Sequence, residues 1–165
     1  MKKVLVIVVV LAFAVPCLAQ GAQPAKPGPE LQKLGYLVGT WKLEAGKSSG
    51  ALQCEWVQWL QDVYLVCHEK TSESEAYSVF SYDAEAKVYK IERYLNDGPP
   101  QRAQGSVQDK ALTFDFDVQG ADNKAVKMRL TIAEESPASA TLTWGTKADA
   151  EAKTPSEAVK ATKVQ

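Results

Sequence analysis

The side chains with the most chemical potential in this sequence are few. They are one histidine, His68, two cysteines well inside the chain, Cys54 and Cys67, and an arginine, Arg93, set among apolar neighbours. His68 follows Cys67 directly, so on an extended strand the two point to opposite faces. A single histidine with no Cys/His cluster gives metal binding little support. No Gly-x-Ser-x-Gly turn is present to make a nucleophile for a Ser-His-Asp arrangement. Carboxylates are plentiful, but no spacing singles out a catalytic pair. The sequence therefore points to no catalytic, cofactor-binding or metal-ligating residue, and an enzyme ranks third among the functional readings.

Cys54 and Cys67 fit a structural role better than a redox one. There is no Cys-x-x-Cys and no helix start to lower a thiol pKa. They lie on two strands expected over 52–59 and 63–71. If Trp59 pairs with Asp62 across a Leu60-Gln61 turn, counting outward sets Cys54 opposite Cys67, a spacing a disulfide can bridge. The same register puts Trp56 opposite Leu65 and Leu52 near Glu69, and makes the Trp56/Val63/Leu65 side the inner face. Arg93 belongs to a strand expected over 87–95, where Tyr89, Ile91, Arg93 and Leu95 share a face. If that face is inside, Arg93 needs a carboxylate partner or an anionic ligand group. Buried arginines are rare, so the favoured alternative is that Arg93 faces water or pairs with Glu69 or Glu55.

The elements that must position these residues are mostly strands. Leu112, Phe114, Phe116 and Val118 alternate with Thr113, Asp115 and Asp117. Val126, Met128, Leu130 and Ile132 alternate with Lys127, Arg129 and Thr131, and Ala140, Leu142 and Trp144 with Thr141 and Thr143. Period two with one apolar face predicts half-buried antiparallel strands. Further strands are expected at 40–45, 76–82 and 102–108. Tight turns favour a meander, with the strongest turn signal at Asn96-Asp97-Gly98-Pro99-Pro100. About nine to ten strands with one wet face must close or stack, so the expected fold is an all-β, antiparallel up-and-down barrel, with a two-sheet sandwich as runner-up. Leu31, Leu34 and Leu37/Val38 at helical spacing behind Pro29 predict a short helix or 3₁₀ turn that plugs one opening.

The domain boundaries follow from composition. Lys2 and Lys3 precede an apolar run, Val4–Val15, too short to span a bilayer comfortably. Residues 1–19 read as a signal peptide cleaved near Ala19. A retained anchor and a lipid-modified Cys17 are the rivals, though Pro16 suits lipoprotein processing badly. Residues 20–29, with Pro24, Pro27 and Pro29, read as a flexible linker. Residues 30–147 form the barrel domain. Residues 148–165, rich in Ala, Lys, Glu and Thr with Pro155 inside, read as a disordered or weakly helical tail. The 165-residue chain carries 19 basic and 20 acidic residues, which argues against a nucleic-acid surface. Loss of the leader would leave no stable membrane span and an exported protein, periplasmic or extracellular, where two cysteines form a disulfide readily. Oligomeric state is not legible.

Leu34-Gly35-Tyr36-Leu37-Val38-Gly39-Thr40-Trp41 carries a family resemblance. Gly-x-Trp on a first strand behind a short helix looks like the opening motif of lipocalins and other calycins. With Cys54-Glu55-Trp56 and Tyr82-Asp83, the layout from Pro29 to Gly145 resembles an uncharacterised bacterial lipocalin-like family. The resemblance implies a barrel with an internal pocket and no established reaction. Lipocalins usually close over that tryptophan with a late arginine. Here Arg129 is the one candidate, and alternation turns it outward. The late histidine of haem-binding relatives has no counterpart, so haem is not implied.

The expected activity is non-catalytic binding of a small apolar or amphipathic ligand inside the barrel, with Trp41, Trp56, Tyr89, Arg93, Phe114, Met128 and Trp144 as candidate pocket residues. The alternative is an envelope protein–protein interaction or structural module without a ligand.

Overall fold

A computed structural model describes residues 25–119, 124–148 and 157–164. The leader, the expected turn at 120–123 and the first part of the expected tail lie outside the described residues. Among those described, no helix is long and apolar enough to cross a membrane.

The chain enters through a short helix α1, Pro29–Gln32, and a 3₁₀ turn, Gly35–Leu37. Proline at the first helical position has no N–H to leave unsatisfied. The amide of Gln32 then donates to the carbonyl of Gly28 at 2.9 Å. Leu31, Leu34 and Leu37 are buried in the barrel core, so this segment is the expected plug. The strands follow as β1 Gly39–Ala45, β2 Ser48–Trp59, β3 Asp62–Thr71, β4 Glu75–Asp83, β5 Val88–Leu95, β6 Gln101–Gln108, β7 Ala111–Gln119, β8 Ala125–Ser136, β9 Ser139–Thr146 and β10 Glu157–Lys163. Each pairs antiparallel with its neighbour in sequence, and β10 returns to pair with β1, closing a ten-stranded barrel.

Closure corrects the reading of 148–165 as a disordered or weakly helical tail. Residues 157–163 are the strand that joins β9 to β1, with Val159 opposite Leu142, Ala161 opposite Ala140 and Lys163 opposite Trp41. Val159 is the one apolar residue there with strong β-propensity, and Val159 with the small Ala161 gives only a weak inward apolar alternation. Pairing on both edges, absent from any local pattern, decides the conformation.

The aromatic strands fill the lumen. Phe80, Phe114, Phe116 and Trp144 form a chain of rings with successive centroids 5.8, 6.5 and 5.4 Å apart. Such tilted contacts suit the quadrupoles of neighbouring rings. At Gly105, opposite Phe114, a Cβ would fall 2.5 Å from a Phe114 ring carbon, so a glycine in β6 makes room for that side chain.

The hairpin β2–β3 has the expected register, from Trp59 opposite Asp62 to Cys54 opposite Cys67. Cys54 and Cys67 form a disulfide, with Cα atoms 4.0 Å apart. Both cysteines and Leu65 are buried, which confirms that side of the hairpin as the inner face. Arg129 points outward, as expected, and its Nε and Nη2 donate to the two Asp115 carboxylate oxygens at 2.6 and 2.9 Å. Lys147 adds a third contact at 2.9 Å.

Replacing Cys54 and Cys67 with alanine should lower unfolding free energy by about 2–4 kcal/mol without loss of strand content. Urea denaturation followed by circular dichroism measures it, and thiol labelling of the folded wild type should find neither cysteine free. Asp115 gives a pH prediction. Hydrogen bonding from Arg129, reinforced by Lys147, lowers its pKa from 3.8 to about 2. A depressed folded pKa contributes stability above the ordinary value that is lost as pH falls through the folded one. Acid titration of stability between pH 4 and 2 should therefore be steeper in the wild type than in Asp115→Asn.

Candidate ligand-binding site

The plug end of the barrel is built around Trp41. Its indole Nε1 donates to the Leu37 carbonyl at 2.7 Å, tying β1 to the 3₁₀ turn. The ring is 1 % exposed. Lys163 of β10 lies over it, with Nζ 5.2 Å from the ring centroid and 3.4 Å from the Tyr36 carbonyl. This is the cation–π closure that the family resemblance sought from a late arginine. A lysine on the last strand supplies it, and sequence reasoning missed it because that strand read as tail. Gly39 holds φ at 123°, and a Cβ there would fall 2.8 Å from Lys163 Cε. The positive φ favours glycine there, and its missing side chain leaves the lysine stem room to pass.

The seven expected pocket residues divide into two groups. Trp41, Trp56 and Tyr89 belong to the plug end. Trp56 packs on the 3₁₀ turn at Gly35. The Tyr89 hydroxyl donates toward the carbonyl and carboxylate oxygens of Glu30, at 3.0 and 3.1 Å. Burial and that carboxylate push the Tyr89 pKa up. Arg93, Phe114, Met128 and Trp144 come together farther along the lumen, where Met128 faces Phe116 across β7–β8. Phe114 is fully buried. All seven are core or core-packed side chains.

Arg93 does lie inside. It is 7 % exposed, its Nη2 donates to Glu69 Oε2 at 3.2 Å, and its guanidinium sits 4.8 Å from the Trp144 ring centroid. The favoured expectation that Arg93 faces water is thus corrected: Glu69, one of the two carboxylates named for it, pairs with it inside, and Trp144 adds a cation–π contact. Burial lowers the Arg93 pKa, opposed by the Glu69 charge. The buried Nε makes no hydrogen bond. Arg93, Glu69 and Ser78 line a lumen cavity of about 30 Å³. That volume suits a water molecule and is an order of magnitude below a small-molecule pocket.

The larger concavity is elsewhere. β3 and β4 pair from Lys70–Glu75 to Leu65–Phe80, and the ladder stops there. The segments 62–64 and 81–83 splay apart at the plug end. Between them and α1 lies a groove of about 730 Å³, within the range of ligand pockets, walled by Leu31, Val63, Tyr64 and Tyr82 with Lys26 and Lys90 at its rim. The Tyr82 ring meets Tyr89 edge-on at 5.0 Å. Lys90 Nζ contacts Asp83 at 2.7 Å, and the same carboxylate accepts the Ala86 and Glu85 amides of the β4–β5 turn. The backbone bond from Ala86 and then the Lys90 ammonium hold the Asp83 pKa down. Sequence reasoning assigned none of these wall residues to a pocket. Tyr82-Asp83 entered it only as a family motif, and a splay between strands leaves no mark on periodicity.

His68 lies on the outer face, stacked on Tyr77 at 4.3 Å with Nε2 2.7 Å from Glu75. Among the described residues no group of three or more His, Cys, Asp or Glu could hold a metal ion. No protein-family model and no curated protein matches the chain.

The Arg93–Glu69 pair yields a stability prediction. Glu69→Ala leaves the guanidinium buried without its counter-charge and should cost about 2–3 kcal/mol. The double variant Arg93→Leu with Glu69→Leu should stay within about 1 kcal/mol of wild type, because an apolar pair replaces both charges together. Urea denaturation of the three proteins measures both values.

Proposed function

We propose that this chain is an exported, non-catalytic binding protein of the lipocalin-like kind, and that its small apolar or amphipathic ligand sits in the groove between α1 and the splayed ends of β3 and β4. The contrast in volume carries this reading: about 730 Å³ in the groove against about 30 Å³ in the lumen. The walls suit an amphipathic molecule. Tyr64, Tyr82, Val63 and Leu31 offer apolar surface, and Lys26 and Lys90 offer cations at the rim. Export is supported by the leader-like residues 1–19 and by a disulfide, which persists in an oxidising compartment.

A second reading, a protein–protein module, has an observation of its own. Tyr77 and Tyr94 are 47 % and 44 % exposed and lie opposite each other on the outer face of β4–β5. Exposed tyrosines side by side are common in interface cores.

Native mass spectrometry after mild purification tests the first reading directly, with a small organic mass expected on the folded chain. With 1-anilinonaphthalene-8-sulfonate as probe, Tyr64→Ala should weaken binding about tenfold by removing apolar wall area while thermal stability stays unchanged. A bare native mass together with equal probe binding by wild type and variant would count against the groove.

A further inference from the structure

The splay between β3 and β4 leaves two bare strand edges. At the other end of this ladder the Thr71 amide donates to the Ser74 carbonyl at 2.9 Å. Thr71 and Ser74 thus turn their backbone groups toward each other's strand, and in an antiparallel pair every second residue does the same. On β3 the count passes Glu69, Cys67 and Leu65 and reaches Val63. On β4 it passes Ala76, Ser78 and Phe80 and reaches Tyr82. The disulfide gives the same parity. A Cα spacing of 4.0 Å at Cys54–Cys67 marks a pair that exchanges no hydrogen bonds, so Cys67 bonds away from β2, toward β4.

Leu65–Phe80 is the last pair of the ladder. Val63 and Tyr82 come next, and their amides and carbonyls point into the splay from its two sides. Opposite Gln58 and Tyr89, both occupy positions where those outer ladders exchange no bonds. Among the described residues, nothing else accepts from or donates to these groups. The barrel is otherwise closed, and closure is what removes free edges from a sheet. Here each strand offers a donor and an acceptor to a groove of about 730 Å³.

That donor and acceptor set selects the ligand. A hydrocarbon tail leaves it unmet, whereas another extended backbone carries N–H and C=O at the matching spacing. Alternation also places the side chains. Val63 and Tyr82 lie on the inner-face count of their strands, and both wall the groove with Leu31. An added strand would turn every second side chain onto these three residues.

We infer that the ligand of the groove is a short extended peptide that adds as a strand between 62–64 and 81–83. It exchanges hydrogen bonds with Val63 and Tyr82 and sets alternate apolar side chains against Leu31. The inference rests on the groove reading and narrows its ligand from any amphipathic molecule to a peptide.

Amide hydrogen exchange followed by NMR on the folded chain tests it, with acetyl-Val-Thr-Val-Thr-Val-amide as probe. In the free chain the Val63 and Tyr82 amides should exchange fast and those of Leu65 and Phe80 slowly. Saturating peptide should slow Val63 and Tyr82 about tenfold or more and displace 1-anilinonaphthalene-8-sulfonate. The same peptide with every amide nitrogen methylated keeps its side chains, loses its donors, and should bind about tenfold more weakly. Binding of the dye without binding of the peptide overturns the inference and leaves the groove reading standing. Binding of neither overturns both. Equal binding of the two peptides, or binding that leaves exchange at Val63 and Tyr82 unchanged, also overturns it. So does slow exchange at both amides without peptide, since the slot would then be filled already. Another part of the chain would be the occupant if that protection is independent of concentration, and a second copy if it is not.

Discussion

The pairing of β10 with β1 is the constraint on which the rest of the structure rests. A meander of nine strands has two edges and an apolar face with nowhere to go. β10 removes both edges at once, bonding to β9 on one side and β1 on the other. It also delivers Lys163 over Trp41, sealing the plug end. Barrel closure and plug attachment are therefore one event. Trp41 meets both parts, with its ring beneath the lysine and its indole nitrogen bonded to the 3₁₀ turn.

What could be read from the sequence depended on how local the physics is. β7 and β8 were plain because Leu112 to Val118 and Val126 to Ile132 alternate without a break, and one buried face suffices to impose that pattern. The hairpin register, and with it the Cys54–Cys67 bridge, followed from a two-residue turn and simple counting. β10 was hidden because Val159 and Ala161 bury so little that their alternation looks like chance. Its conformation comes from pairing on both edges, one of them with β1 more than a hundred positions away.

The site was less legible than the fold for a related reason. The apolar residues expected to line a pocket, Phe114 and Trp144 among them, pack against one another and fill the lumen. Sequence alternation tells which side chains point inward. It does not tell whether inward-pointing side chains meet, because that depends on barrel radius and on their summed volume. Arg93 is the instructive exception. Its placement among Tyr89, Ile91 and Leu95 raised the question of a counter-charge, and Glu69 of β3 answers it from the far side of β4. The groove at the β3–β4 splay arises from a ladder that stops early, and nothing in the composition of 62–64 or 81–83 announces that.

The order of strands around the barrel has a kinetic consequence. Nine of the ten strand contacts join neighbours in sequence and can form by local search. The tenth joins Trp41 to Lys163, 122 positions apart, and its loop-closure entropy must be met before the pairing returns anything. A pairing across so long a separation forms slowly and late. Until β10 arrives, the nascent sheet presents β1 and β9 as open templates for any other chain. A fold whose last seven-residue strand completes the ring is most vulnerable to aggregation and proteolysis at the moment just before it is finished.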